Sequence, residues 1–221
     1  MLSYSLLMPQ DRLERVDVPS QVHPTAGCVV TLHGRGVTGE DLVPLAQELG
    51  LPALRFIFPH APFPFTSPFG GRAWYESPPR AHEGLTESRQ LLFRLLEELE
   101  AQGVEPGRIA LMGFSQGAVM SLDVGVRYPK RLAGIVALSG YLYAPDSLGT
   151  EKSAAADGLP ILLAHGTYDD VLPLAGSRQA LKTLQAHSFQ ARLVEYPMGH
   201  QVVLEELEEA RSFLKTVFPG L

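Results

Sequence analysis

Arg108-Ile-Ala-Leu-Met-Gly-Phe114, running straight into Ser115-Gln-Gly-Ala-Val-Met-Ser-Leu-Asp-Val-Gly-Val126, is the stretch that decides the fold. Its first half is a short apolar run, read as a buried strand, and from Ala118 to Val126 the pattern is helical. A serine stands at the junction, inside Gly113-Phe114-Ser115-Gln116-Gly117. A strand that passes directly into a helix turns sharply, and such a turn lifts the serine hydroxyl above the sheet edge. A side chain at either flanking glycine would crowd that strained turn. The helix also brings unpaired N–H groups and partial positive charge to the place where an oxyanion would form. An ordinary glycine-rich turn with an incidental serine has the same five residues, so the chain must also supply a base and an acid.

Outward from this junction, short apolar runs alternate with helical patterns. The expected strands are Gly27–Leu32, Leu54–Phe58, Ile109–Phe114, Ala133–Leu138, Ile161–Ala164 and Ala191–Tyr196. The expected helices are Glu40–Leu49, Leu85–Gln102, Gln116–Tyr128, Leu174–Ala186 and Val202–Phe218. Within the second, Leu91, Leu92, Leu95, Leu96 and Leu99 share one face at 3.6-residue spacing, the mark of a helix laid on a sheet. The alternation predicts an α/β fold, with a mostly parallel sheet covered on both faces. The segment up to Val18 is expected to add an antiparallel edge strand or hairpin.

At 221 residues the chain is most simply one domain, 1–221, able to bury roughly 70% of its unfolded surface. A hydrophobic content of 45% with 19% charged residues excludes a disordered chain. The net charge is −6, and the acidic runs Glu97-Glu98-Leu99-Glu100 and Glu205-Glu206-Leu207-Glu208-Glu209 read as solvated helix faces. With no basic stripe, nucleic acid is not an expected partner. The lone Cys28 has no disulfide partner within the chain and lies in an apolar run, as a buried thiol does. No apolar run reaches the length of a membrane span, and no secretory signal is evident, so cytoplasmic residence is the expectation.

Two stretches break the alternation. Between Pro59 and Pro79, prolines 59, 62, 64, 68, 78 and 79 are interleaved with Phe63, Phe65, Phe69, Trp74 and Tyr75. Such a stiff aromatic loop is either a pocket wall and partial lid or a satellite core folded onto the surface. The other stretch, Tyr143 to Pro160, is small and polar and reads as a mobile connection.

A serine hydroxyl is a weak nucleophile until a base takes its proton and a third group holds that base. In sheets of this kind the partners stand just beyond strand carboxyl ends. Of the downstream histidines, His187 ends a helical pattern and is expected to face solvent, and His165, in a tight His-Gly turn, is expected to make a structural hydrogen bond. His200 follows the last strand in Pro197-Met198-Gly199-His200 and is the candidate base. Asp169 and Asp170 follow the strand that ends at His165-Gly166. Asp169 is the candidate acid and Asp170 a candidate helix cap. The oxyanion donors are the Gln116 N–H and an N–H in His33-Gly34-Arg35-Gly36, best that of Arg35.

These motifs, taken in order, resemble the phospholipase/carboxylesterase family of α/β-hydrolases, which includes the acyl-protein thioesterases. The resemblance rests on Leu32-His-Gly-Arg-Gly36, Glu40-Asp-Leu42, Pro59-His-Ala-Pro62 and Arg72-Ala-Trp-Tyr75. It continues through Gly113-Phe-Ser-Gln-Gly-Ala118, His165-Gly-Thr-Tyr-Asp-Asp-Val-Leu-Pro173 and Gly199-His200. It implies a compact hydrolase sheet without a separate cap domain, with Ser115 as nucleophile, Asp169 as acid, His200 as base, and Arg35 and Gln116 as oxyanion donors. At position 35 the eukaryotic thioesterases resemble His-Gly-Leu-Gly, whereas this chain carries a guanidinium, which would disfavour a long acyl chain or favour an anionic substrate.

The expected activity is hydrolysis of short-to-medium acyl esters through an acyl-enzyme. Phe63, Phe65, Phe69, Trp74 and Tyr75 are expected to line the pocket, and neither metal nor organic cofactor is required. The alternatives are a thioesterase or lysophospholipase for long-chain lipids, and a hydrolase-fold binding protein with little turnover. A small-molecule ester is the expected partner.

Overall fold

The computed structural model describes residues 11–65, 70–76 and 80–221. In chain order its elements are β1 (Arg15–Val18), β2 (Gly27–Leu32), α1 (Pro44–Leu49), β3 (Leu54–Pro59), β4 (Phe63–Pro64), β5 (Arg72–Ala73) and α2 (Ala81–Ala101). There follow β6 (Ile109–Phe114), α3 (Gln116–Arg127), β7 (Gly134–Leu138), α4 (Leu148–Glu151), β8 (Pro160–Gly166), α5 (Ala175–Ala186), β9 (Gln190–Tyr196) and α6 (Leu204–Val217). Seven strands form one sheet in the order β1-β3-β2-β6-β7-β8-β9. Every neighbouring pair is parallel except β1–β3, so the opening segment does supply an antiparallel edge strand.

The sequence patterns explain the layers. Each residue of β2 is buried, because successive side chains leave a strand on opposite faces and both faces are covered. Cys28, Val30 and Leu32 join the core beneath α2, α3 and α5, while Val29 joins the core beneath α1 and α6. The α2 leucines 91, 92, 95, 96 and 99 are all buried, each contributing roughly 2 kcal/mol of transfer free energy. The expected Glu40–Leu49 helix is broken: a 3₁₀ turn over Glu40–Leu42 precedes α1, whose first residue is Pro44. A proline lacks the N–H that an interior helical position would donate, so it starts a helix instead.

The connection from Tyr143 to Pro160 is not the loose segment that its composition suggested. It contains α4 and 3₁₀ turns, and it buries Leu148, Ala156 and Leu159. Three anchors spread over so many small residues show no period, which is why the sequence concealed them. The proline-rich stretch carries the short antiparallel pair β4–β5, and Arg72 also bridges to Val37 in the loop after β2.

Candidate active site

Ser115 is the residue before α3 and adopts φ 57° and ψ −120°, a strained conformation for a residue with a side chain. The two flanking glycines are needed for close backbone approach. A Cβ on Gly113 would stand 2.2 Å from the Gly117 carbonyl oxygen, and one on Gly117 would stand 2.0 Å from that of Leu32. In register, Leu32 of β2 lies beside Gly113 of β6, so the loop leaving β2 passes directly by the serine. Gln116 begins α3, and its N–H has no carbonyl one turn back to bond.

Asp169 and His200 come from the loops leaving β8 and β9, which pair in parallel up to Gly166 and Tyr196. The loops are tied together by Thr167 N–H to Tyr196 O (2.8 Å) and Tyr168 N–H to Met198 O (3.0 Å). The His200 loop reaches back across the sheet edge until the ring packs against Phe114, with centroids 4.8 Å apart. There His200 Nε2 is 3.0 Å from Ser115 Oγ and Nδ1 is 2.7 Å from Asp169 Oδ2. The other carboxylate oxygen accepts the N–H groups of Val171 (3.0 Å) and Leu172 (2.8 Å). Burial alone would raise the Asp169 pKa, but the hydrogen bonds from His200, Leu172 and Val171 outweigh it and hold the carboxyl below its ordinary value. The carboxylate is therefore ionised and accepts only, so His200 carries its proton on Nδ1 and turns the Nε2 lone pair to Ser115. Asp170 is exposed and does not cap the next helix as expected: α5 starts after Leu174 with no side-chain cap, and it is Asp169 that takes the N–H groups of the intervening turn.

The loop after β2 is held by residues whose part the sequence reading missed. His33 is fully buried; its Nε2 accepts the Ala61 N–H (3.0 Å), so Nδ1 bears the proton and donates to Gly34 O (2.7 Å). Burial keeps this ring neutral, pushing its pKa down to about 4. Trp74 donates from Nε1 to His33 O (2.8 Å), and its own N–H reaches Gln116 Oε1 (3.0 Å). Gln116 Nε2 in turn donates to Tyr75 O (2.9 Å). The Gln116 side chain thus clamps the Trp74-Tyr75 segment, while its backbone N–H stays at the helix start beside Ser115. The Arg35 guanidinium stacks 4.7 Å above the Phe65 ring.

A cavity of about 580 Å³ opens onto Ser115 and His200, walled by Arg35, Tyr75, His82, Tyr141, Tyr143 and Leu172 among others. Of the four described aromatic residues expected to line it, Phe63, Phe65, Trp74 and Tyr75, only Tyr75 does. Trp74 is wholly buried as the support just described, Phe65 lies beneath Arg35, and Phe63 abuts Gly84 of α2. Phe69 lies outside the described residues. A second cavity of about 450 Å³, between Val18, Pro44, Leu51 and Phe56, has no titratable side chain in its wall. Among the described residues, no cluster of His, Cys, Asp and Glu is arranged to hold a metal ion, and no helix is long and apolar enough to cross a membrane.

The chain is similar in sequence and fold to known proteins. The family model described as Phospholipase/Carboxylesterase matches residues 13–218. Acyl-protein thioesterase 1 of Eremothecium gossypii is 31% identical over 219 residues, spanning 90% of this chain and 92% of the relative. The crystal structure of esterase PE8 superposes with a TM-score of 0.86 at 35% identity, covering 93% of this chain and 99% of that one. Acyl-protein thioesterase 2 of Zea mays superposes with a TM-score of 0.79 at 27% identity, covering 93% and 99%.

Proposed function

Because the chain belongs to the phospholipase/carboxylesterase family of α/β-hydrolases, we propose that it hydrolyses short-to-medium acyl esters through an acyl-enzyme on Ser115. The observation that carries this reading is the hydrogen-bonded series Ser115–His200–Asp169 at 3.0 and 2.7 Å. As Ser115 Oγ attacks the acyl carbonyl, its proton passes to His200 Nε2, and the imidazolium is stabilised by Asp169. The N–H groups of Gln116 and Arg35 receive the developing oxyanion. His200 then protonates the leaving group, and a water molecule, deprotonated by the same nitrogen, releases the acid.

The size of the cavity supports the chain-length preference: at about 580 Å³, walled by Tyr75, Tyr141, Tyr143, His82 and Leu172 among others, it lies in the range of pockets that enclose a small ligand. A second reading, an acyl-protein thioesterase, is favoured by the names of relatives about as similar as the Eremothecium protein. The chemistry is the same, with a thiol as leaving group.

Initial rates on p-nitrophenyl esters from acetate to palmitate, set beside matching acyl thioesters, separate the two. Serine-dependent rates that peak at butyrate to octanoate support the esterase. A peak at palmitoyl thioester supports the thioesterase. Full activity in Ser115→Ala overturns both.

A further inference from the structure

His165 stands at the end of β8, and its side chain is 1% exposed. Its Nε2 is 2.8 Å from Leu172 O and 3.2 Å from Asp169 Oδ2. Both neighbours are acceptors, so this nitrogen carries a proton and donates it. The Leu172 peptide is then gripped from two sides, its carbonyl by His165 and its N–H by Asp169 Oδ1 (2.8 Å). Behind the ring, Ser177 Oγ on α5 lies 2.7 Å from Nδ1 and 2.6 Å from Gly140 O beyond β7, two acceptors that its single proton serves in turn. Ser177 is buried as well. One imidazole therefore ties together the ends of β7 and β8 and the first turn of α5, with its N–H directed into the Asp169 turn.

We propose that His165 is a positioning residue for Asp169, holding the 169–172 turn so that Oδ2 meets His200 Nδ1. This rests on the reading of Ser115, His200 and Asp169 as a catalytic series and adds a fourth member to it. A turn released by a fraction of an ångström to an ångström would tilt the carboxylate away from His200. Misplacement on that scale slows a reaction by up to about a hundredfold. His165 itself touches neither substrate nor reacting atoms, so its removal changes kcat and leaves KM nearly alone.

The experiment is a double-mutant cycle on the full chain with p-nitrophenyl butyrate, using His165→Phe, Asp169→Asn and the pair, with melting temperatures for each. His165→Phe is expected to lower kcat about 30-fold with KM within about threefold of wild type. His165→Gln, whose amide N–H can reach Leu172 O, is expected to recover most of the rate. In the Asp169→Asn background His165→Phe should change the rate by less than about threefold, because the group it positions is already lost. A wild-type rate for His165→Phe, an effect confined to KM, or full multiplication of the two losses would overturn the role. A wild-type rate for Asp169→Asn would instead overturn the triad reading, and this role with it. If His165→Phe fails to fold, Ser177→Ala, which leaves the ring unpinned, is expected to lower kcat about fivefold, and an unchanged kcat then counts against the proposal.

Discussion

Replacing Asp169 with asparagine exchanges one oxygen of a buried carboxylate for a donor, and the structure says which. If the amide NH₂ faced Val171 and Leu172, it would oppose two backbone N–H groups whose protons are fixed. Each stranded buried donor costs about 1–3 kcal/mol. Facing His200, the NH₂ opposes Nδ1–H, a clash His200 relieves by moving its proton to Nε2, and the His165 N–H, which keeps Leu172 O as its acceptor. This second arrangement is the cheaper one, and it is fatal to the chemistry, because Nε2 is the atom 3.0 Å from Ser115 Oγ. The expected result is a loss of about 10⁴-fold in kcat/KM, about 5 kcal/mol of transition-state stabilisation. Initial rates on p-nitrophenyl butyrate near pH 7.5 measure it, with circular dichroism to confirm an unchanged fold. A folded Asp169→Asn protein that kept more than about a tenth of the wild-type rate would refute the argument.

Three further outcomes can be checked. Trp74→Phe removes the Nε1 bond to His33 O and leaves a buried carbonyl unpaired, so a loss of about 1–3 kcal/mol in urea unfolding and a fall in kcat are expected. Glu206 is buried, neither carboxylate oxygen has a well-formed hydrogen bond among the described residues, and burial, opposed only weakly by the Val203 N–H, pushes its pKa up to about 8. The unfolded chain releases this proton above about pH 4.5 while the folded chain keeps it to about 8, so stability drains away as pH rises through that window. Glu206→Gln should accordingly be stabilising by a few kcal/mol at about pH 9 and nearly neutral at about pH 5, read as a difference in melting temperature. Cys28 is buried and its thiol is pushed up to about 12, so a chromogenic disulfide reagent should find no reactive thiol in the native protein and one after denaturation.

The parts of the molecule that the sequence discloses are those written locally. Strand runs such as Gly27–Leu32 and Ile109–Phe114 are continuous apolar segments, and parallel sheets demand that pattern. Ser115, Asp169 and His200 were legible as candidates because each stands just beyond a strand end, with glycine or proline marking the turn. What stayed hidden is the work of side chains that meet across long separations. Trp74 reads as a pocket aromatic until its partners, His33 and Gln116, are seen 41 and 42 residues away. Tyr141, Tyr143 and His82 carry no periodic signal, yet packing of the connection after β7 against the start of α2 sets them around the cavity. His165 could be read only as making some structural bond, because its partners Leu172, Ser177 and Asp169 lie on a turn and a helix whose arrangement is tertiary.

The contact between Gly117 and the Leu32 carbonyl has a consequence for how this protein can be altered. It welds the serine turn to the loop after β2, so the groups proposed to meet the acyl carbonyl are one rigid piece founded on two central, adjacent strands. The histidine and its carboxylate hang from β9 and β8, at the other side of the sheet. On the proposed mechanism, recognition of the carbonyl and management of the proton are thus separate modules, and an engineer could retune basicity through the outer loops while leaving the polarising half of the site intact.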